Sequence, residues 1–136
     1  ALRLTAGKGR RSWYNMLRMG STITTEAWDN VYKSNLDWNH AWGAAAANVI
    51  ARRLMGIRPL KPGFEEIAIC PQPGGLPHAR IVQPSPRGSI GVEWRMRSDG
   101  KLNLSVTVPA NSTARLTLPH TGQVVTLPPG HHRISE

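Results

Sequence analysis

The second half of the chain alternates apolar and polar residues with the period of β-strands. Residues 102–108 are the clearest case, because every second residue from Leu102 to Val108 is apolar and those between them are polar. Prolines, glycines and asparagines separate seven such stretches, which is typical of turns in an antiparallel β-sandwich. The seven predicted strands are residues 65–70, 79–83, 89–96, 102–108, 113–118, 123–127 and 131–134.

In the first half of the chain, the apolar residues recur with the spacing of α-helices instead. A short helix is predicted between Ser12, which can act as its N-cap, and Gly20, which ends it. A longer helix is predicted over residues 39–54, where apolar residues recur at helical spacing before Gly56. Residues 21–38 are too polar and irregular for a core element and should form a loop. Loops of this length in compact domains are usually functional or disordered, and the aromatic residues here argue against disorder.

Composition supports this division into two parts. Prolines occur every few residues from Pro59 onward, so the expected domains are residues 1–57, helical, and residues 58–136, a β-sandwich. The predicted fold class is therefore α+β. With 136 residues and 40% apolar residues, the chain suits one small domain with a helical part, and two complete enzyme domains would not fit.

The chain carries a formal net charge of +9, which by itself would suggest a nucleic-acid partner. Apart from a short cluster at residues 8–11, however, the basic residues are spread singly along the sequence, so no nucleic acid is predicted. No apolar run approaches the roughly 20 residues that cross a membrane, so no membrane partner is predicted. The compartment stays open among periplasm, cell exterior and cytoplasm.

Metal and cofactor sites are not predicted either. The single cysteine, Cys70, excludes an internal disulfide framework, and the five histidines lack the spacing of metal ligands. We therefore expect any chemistry to come from the side chains themselves.

Three of the eight acidic residues, Glu26, Asp29 and Asp37, fall within the predicted loop. His40 and three tryptophans share this window: Trp28, Trp38 and Trp42. Carboxylates can move protons at a glycosidic oxygen or a water, and flat aromatic rings pack against sugar rings, so the mixture predicts a sugar site. The same residues also allow a structural interpretation, in which the aspartates cap turns and helices, His40 starts a helix and the tryptophans belong to a core.

A succession of short motifs favours the sugar site over the structural interpretation. They are GSTITTEAWD at residues 20–29, DWNHAWGA at 37–44, GIRP at 56–59, PGF at 62–64 and ICPQP at 69–73. Their order resembles the end of glycoside hydrolase family 78, the bacterial α-L-rhamnosidases. The resemblance implies the last helices of an (α/α)6 barrel followed by the family's carboxy-terminal β-sandwich, and inverting hydrolysis of terminal α-L-rhamnosyl groups in a rhamnose-containing glycan or glycoside.

The resemblance also implies roles for individual residues. Glu26 matches the family's general base, His40 matches a residue that lines the sugar pocket, and Trp28, Trp38 and Asp29 are expected substrate contacts. In this family the general acid comes from earlier in the barrel, so the chain alone should lack it and be inactive. Two features depart from the family pattern: a short loop after Asp29, and Thr25 where an aromatic residue often precedes the glutamate.

An alternative function is a non-catalytic accessory or carbohydrate-binding module. Trp94 is the one strand tryptophan that could form a sugar platform, and alternation alone leaves it in the core or on the surface. Without the upstream barrel, the apolar helix faces would need a substitute partner. They could obtain one by forming a homo-oligomer, by swapping segments or by packing onto the sandwich.

Overall fold

The structure is a computed structural model, and it describes residues 2–136. It divides into two compact units, one ending at Val49 and the other running from Ile50 to Glu136. None of the helices in the described residues is long and apolar enough to cross a membrane.

The first unit contains short helices. They are α1 (Leu2–Thr5), α2 (Trp13–Arg18), a 3-10 turn (Ala41–Ala44) and α3 (Ala45–Val49). The predicted capping of α2 is confirmed, since the Ser12 hydroxyl accepts the Asn15 backbone N–H at 3.2 Å and Gly20 follows with a φ of +82°. The helix α1 was not predicted.

The second predicted helix begins later than residue 39 and changes type along its length. Helical backbone runs from Ala41, as a 3-10 turn and then α3, and continues as a π-helical turn over Ile50–Leu54. The start is delayed because the His40 backbone is extended and bonds to Thr24: the His40 N–H donates to the Thr24 carbonyl, and the Thr24 hydroxyl donates to the His40 carbonyl, each at 2.8 Å.

Residues 20–40 contain no helix or strand, so the predicted loop is confirmed. Hydrogen bonds nevertheless fix its path. Segments 24–26 and 37–40 run side by side, and the Glu26 backbone N–H donates to the Asp37 carbonyl at 2.8 Å. Thr25 and Leu36 are buried, with 1% and 6% of their surface exposed. The loop is therefore an ordered part of the first unit.

The second unit is a two-sheet sandwich of eight strands. They are β1 (Ile57–Pro59), β2 (Glu66–Ile69), β3 (His78–Gln83), β4 (Ile90–Met96), β5 (Leu102–Val108), β6 (Thr113–Thr117), β7 (Val124–Leu127) and β8 (Gly130–Ser135). One sheet has the order β1-β2-β6-β7 and the other β3-β4-β5-β8. The seven predicted strands are confirmed as β2 to β8. All strand pairs are antiparallel except β2 with β6, which is parallel.

The short strand β1 was missed. It has three residues, ends in Pro59 and lies at the edge of its sheet. Proline cannot donate a ladder hydrogen bond, so it is confined to edge strands, and three residues are too few to show alternation.

Apolar side chains of both sheets form one core. In β5 the predicted alternation is observed: Leu102, Leu104, Val106 and Val108 are buried, and the residues between them are exposed or half-buried. Trp94 is fully buried in this core. It therefore cannot act as a surface platform for a sugar ring.

Candidate active site

A groove of about 620 Å³ lies within the first unit. Its walls come from α2, the ordered loop and the start of the following helix, and they include Glu26, His40 and three tryptophans: Trp13, Trp28 and Trp42. This volume falls in the range of small-molecule sites, which are mostly apolar with a few placed polar groups. The structure thus brings together three of the five residues predicted for the site, Glu26, Trp28 and His40.

The Glu26 carboxylate is held at both oxygens. Lys33 donates from its ammonium group to Oε1, and the Asp37 backbone N–H donates to Oε2 at 3.1 Å. The hydrogen bond from Lys33 is the main reason that the pKa of Glu26 is lowered from its ordinary value, and the Asp37 N–H lowers it further. Glu26 is therefore ionised at neutral pH. An ionised carboxylate in a groove can accept a proton, which is what a general base must do.

His40 lies on the same wall as Trp42. The two ring centroids are 5.4 Å apart with planes at 79°, and His40 Nδ1 is 3.9 Å from a carboxylate oxygen of Asp37. An imidazole in this position can donate a hydrogen bond to a ligand hydroxyl or accept one from it.

Another part of the groove lining is a tryptophan pair. The rings of Trp13 and Trp28 meet edge to face, with centroids 4.9 Å apart. Each is anchored by a hydrogen bond: Trp13 Nε1 donates to the Gly43 carbonyl at 2.6 Å, and the buried Asn15 amide donates to the Trp28 carbonyl at 2.9 Å. The two rings therefore form a fixed apolar surface beside Glu26.

Gly43 is needed for this close packing. A Cβ atom at that position would lie 2.6 Å from Thr24 Cβ and 3.0 Å from the Thr25 carbonyl oxygen. Any side chain at Gly43 would push away the segment that carries Glu26.

The structure does not bring Asp29 and Trp38 to the groove. Asp29 accepts hydrogen bonds from the Val31 backbone N–H and the Asn15 amide, both at 3.2 Å, and these contacts lower its pKa in that order. Its carboxylate thus holds a turn, in agreement with the capping role that the sequence also allowed. The Trp38 side chain is 44% exposed and lies outside the groove walls.

Two residues were not found from the sequence, Trp13, which lines the groove, and Lys33, which contacts Glu26. Trp13 follows the N-cap of α2 and reads as an ordinary helix residue, and Lys33 lies in an irregular loop with no periodicity that could relate it to Glu26. Within residues 2–136 there is no group of three or more His, Cys, Asp or Glu side chains that could hold a metal ion.

Two family models together match nearly the whole chain. One, described as the bacterial α-L-rhamnosidase 6 hairpin glycosidase domain, matches residues 1–54. The other, described as the bacterial α-L-rhamnosidase C-terminal domain, matches residues 56–133. This chain belongs to the bacterial α-L-rhamnosidases. The resemblance of its motifs to this family is confirmed.

Individual rhamnosidases show how much of such a protein the chain represents. An α-L-rhamnosidase of Alteromonas sp. (strain LOR) is 33% identical in an alignment 132 residues long, and this alignment covers 90% of this chain and 13% of that protein. The crystal structure of native α-L-rhamnosidase from Aspergillus terreus has a TM-score of 0.82 at 24% identity, covering 96% of this chain and 16% of its own. The crystal structure of Streptomyces avermitilis α-L-rhamnosidase complexed with L-rhamnose has a TM-score of 0.79 at 25% identity, covering 98% of this chain and 16% of its own.

The chain thus corresponds to the end of the 6 hairpin domain and the C-terminal domain of this family, and it spans only about an eighth of the length of the curated relative. The predicted architecture, the last helices of a six-hairpin barrel followed by a β-sandwich, is confirmed by the family models and by the structural likeness.

Proposed function

We propose that the first unit supplies the general base and part of the sugar pocket of an inverting α-L-rhamnosidase. The observation that carries this proposal is the position of Glu26, an ionised carboxylate fixed at both oxygens in a groove walled by tryptophans. The substrate would be a rhamnose-containing glycan or glycoside. The structure of the Streptomyces avermitilis rhamnosidase complexed with L-rhamnose supports that substrate class.

In this mechanism Glu26 removes a proton from a water molecule. The water attacks the anomeric carbon from the face opposite the aglycone, the bond to the glycosidic oxygen breaks, and that oxygen takes a proton from a carboxylic acid. Inversion requires the two carboxyl groups to be roughly 6.5–9.5 Å apart so that the water fits between them. The tryptophan surface would pack against the sugar ring, and His40 would bind a hydroxyl.

The general acid would come from a part of the barrel upstream of this chain. The other two carboxylates of the first unit are poorly suited to the role, since Asp29 holds a turn and Asp37 is 63% exposed at its side chain. Several large apolar side chains of this unit are exposed, among them Trp42 at 84% and Leu17 at 70%. These would be covered by the rest of the barrel, which is the proposed partner of this unit.

The isolated 136-residue chain is expected to be inactive, because it lacks the acid that protonates the leaving group. Incubation with nitrophenyl α-L-rhamnoside should release no nitrophenol above the uncatalysed rate. Release by the chain that disappears in Glu26→Gln would contradict the proposal, since the chain would then hold both catalytic groups.

The contact between Lys33 and Glu26 predicts a measurable titration. Lys33 lowers the pKa of Glu26, so Lys33→Met should raise that pKa, and the carboxylate should then take up its proton at higher pH. The change can be followed by NMR from the side-chain carboxyl carbon of Glu26. Lys61→Met, which removes a lysine paired with Glu65 and Glu66 in the sandwich, should leave the Glu26 midpoint unchanged. An unchanged midpoint in Lys33→Met would show that the ion pair is absent in solution.

A further inference from the structure

The sheet β3-β4-β5-β8 gathers basic residues that are far apart in the sequence. Its register places Arg80, Glu93, Ser105 and Arg133 opposite one another in a single row across the four strands. Arg80 and Arg133 stand at the two ends of this row, about 14 Å apart by three strand spacings. The residues on either side of these positions along β4 and β5 are buried, so the row lies on the outer face of the sandwich.

A second row beside the first adds another guanidinium group. The register aligns His78, Arg95, Asn103 and Ser135 across the same four strands. A groove of about 470 Å³ lies over the β4, β5 and β8 positions of the two rows, and Glu93, Arg95 and Arg133 are among the residues that line it. The β3 residues of the rows, His78 and Arg80, lie beside it. We call the two rows together the outer-face groove.

The charges of the outer-face groove are not balanced within it. Glu93 is its one carboxylate, and it pairs with Arg95 and His78, each at 3.2 Å, and with Arg80 at 4.0 Å. The Arg80 and Arg95 side chains are 68% and 65% exposed. Among residues 2–136, no ion pair or side-chain hydrogen bond is made by Arg133. Three guanidinium groups thus face solvent around one carboxylate, which favours an anionic ligand.

The remaining side chains indicate the kind of anion. Between the arginines lie hydroxyl and amide groups, on Ser105, Ser135 and Asn103, which can bind sugar hydroxyls. The two rows hold no Trp, Tyr or Phe on which nucleic-acid bases could stack, and Trp94 is buried beneath them. The Glu93 carboxylate can accept hydrogen bonds from sugar hydroxyls.

We propose that the outer-face groove binds a glycan that carries carboxylate groups, a uronic-acid polymer. The planar guanidinium groups would pair with the carboxylates through two parallel hydrogen bonds, and the hydroxyl and amide side chains would bind the sugar hydroxyls between them. This site goes beyond the proposed rhamnosidase function and does not use Glu26. It would hold the enzyme on an acidic polysaccharide.

The test is calorimetric titration of the 136-residue chain with polygalacturonate, with neutral dextran as the uncharged polymer. The chain should bind polygalacturonate and not dextran. The double variant Arg95→Gln/Arg133→Gln should lose at least about tenfold in affinity, because charge-assisted hydrogen bonds are removed. The matched control Arg58→Gln/Arg115→Gln, which makes the same change of net charge at exposed arginines of the other sheet, should bind like the unchanged chain.

Three outcomes would overturn the proposal. They are an equal loss in the two double variants, binding of dextran sulfate as tight as that of polygalacturonate, and tighter binding of duplex DNA that the Arg95→Gln/Arg133→Gln change abolishes. The first two would show attraction to the overall charge, and the third a nucleic-acid surface. Glu26→Gln should bind polygalacturonate as the unchanged chain does. The binding experiment therefore tests the outer-face groove separately from the proposed rhamnosidase function.

Discussion

Replacing Glu26 by glutamine in the full-length parent enzyme is expected to lower kcat by about 10²–10⁴-fold, the range that general base catalysis contributes. The amide has nearly the shape of the carboxylate but cannot accept a proton from the attacking water. KM should change much less, since Trp13, Trp28 and His40 would still contact the sugar. The measurement is steady-state hydrolysis of nitrophenyl α-L-rhamnoside at the pH optimum.

A matched control is Glu65→Gln, which makes the same chemical change at a half-exposed glutamate paired with Lys61 and Arg87 in the sandwich. Its kcat should equal that of the unchanged enzyme. A loss of less than tenfold in Glu26→Gln, or a rise in KM at constant kcat, would assign Glu26 to binding and remove it from the chemistry.

The largest expected effect on stability is at Gly56. Its φ is +75°, and a Cβ atom there would lie 2.0 Å from the carbonyl oxygen of Cys70 and 2.6 Å from its nitrogen. Both atoms are backbone, and the Cys70 N–H donates to the Gly56 carbonyl at 3.1 Å. Gly56→Ala must therefore push the backbones of residues 56 and 70 apart, next to the β1–β2 pair. We expect a loss of about 3–5 kcal/mol in the free energy of unfolding, from the strained backbone together with the overpacking.

Gly100→Ala provides the comparison. Gly100 has a similar φ of +82°, but a Cβ atom there would meet nothing within 4 Å, so this variant should lose only the backbone term of about 1–2 kcal/mol. Urea unfolding of the 136-residue chain measures both. Equal losses in the two variants would show that the contact with Cys70 relaxes without cost.

Alternation predicted most of the sandwich, and it is clearest in β4, β5 and β6, where every second residue is buried over most of the strand. It could not predict which strands are neighbours: the parallel pairing of β2 with β6 joins segments more than 40 residues apart, and nothing in either stretch specifies the partner. The outer-face groove could not be predicted for the same reason, because it depends on which strands are neighbours. Arg80, Arg95 and Arg133 look isolated in the sequence, and only the register of three strand pairs places them together.

The candidate active site was predicted in part. Glu26, Trp28 and His40 were found because they lie in short motifs that resemble the family, and the structure places them in one groove. Lys33 was missed because an irregular loop has no period from which side-chain neighbours can be deduced. The helix prediction failed at residues 39 and 40 because hydrogen bonds to Thr24 hold His40 in an extended conformation, an effect that local propensity cannot anticipate.

The most direct measurement of the role of Glu26 uses azide as a substitute for activated water. In full-length Glu26→Ala, azide ion can attack the anomeric carbon without losing a proton, so it needs no base, and the aglycone still leaves with a proton from the general acid. The expected result is recovery of activity with increasing azide and formation of a rhamnosyl azide whose anomeric configuration is inverted. No recovery with azide, while the variant remains folded, would contradict the assignment of Glu26 as the group that activates water.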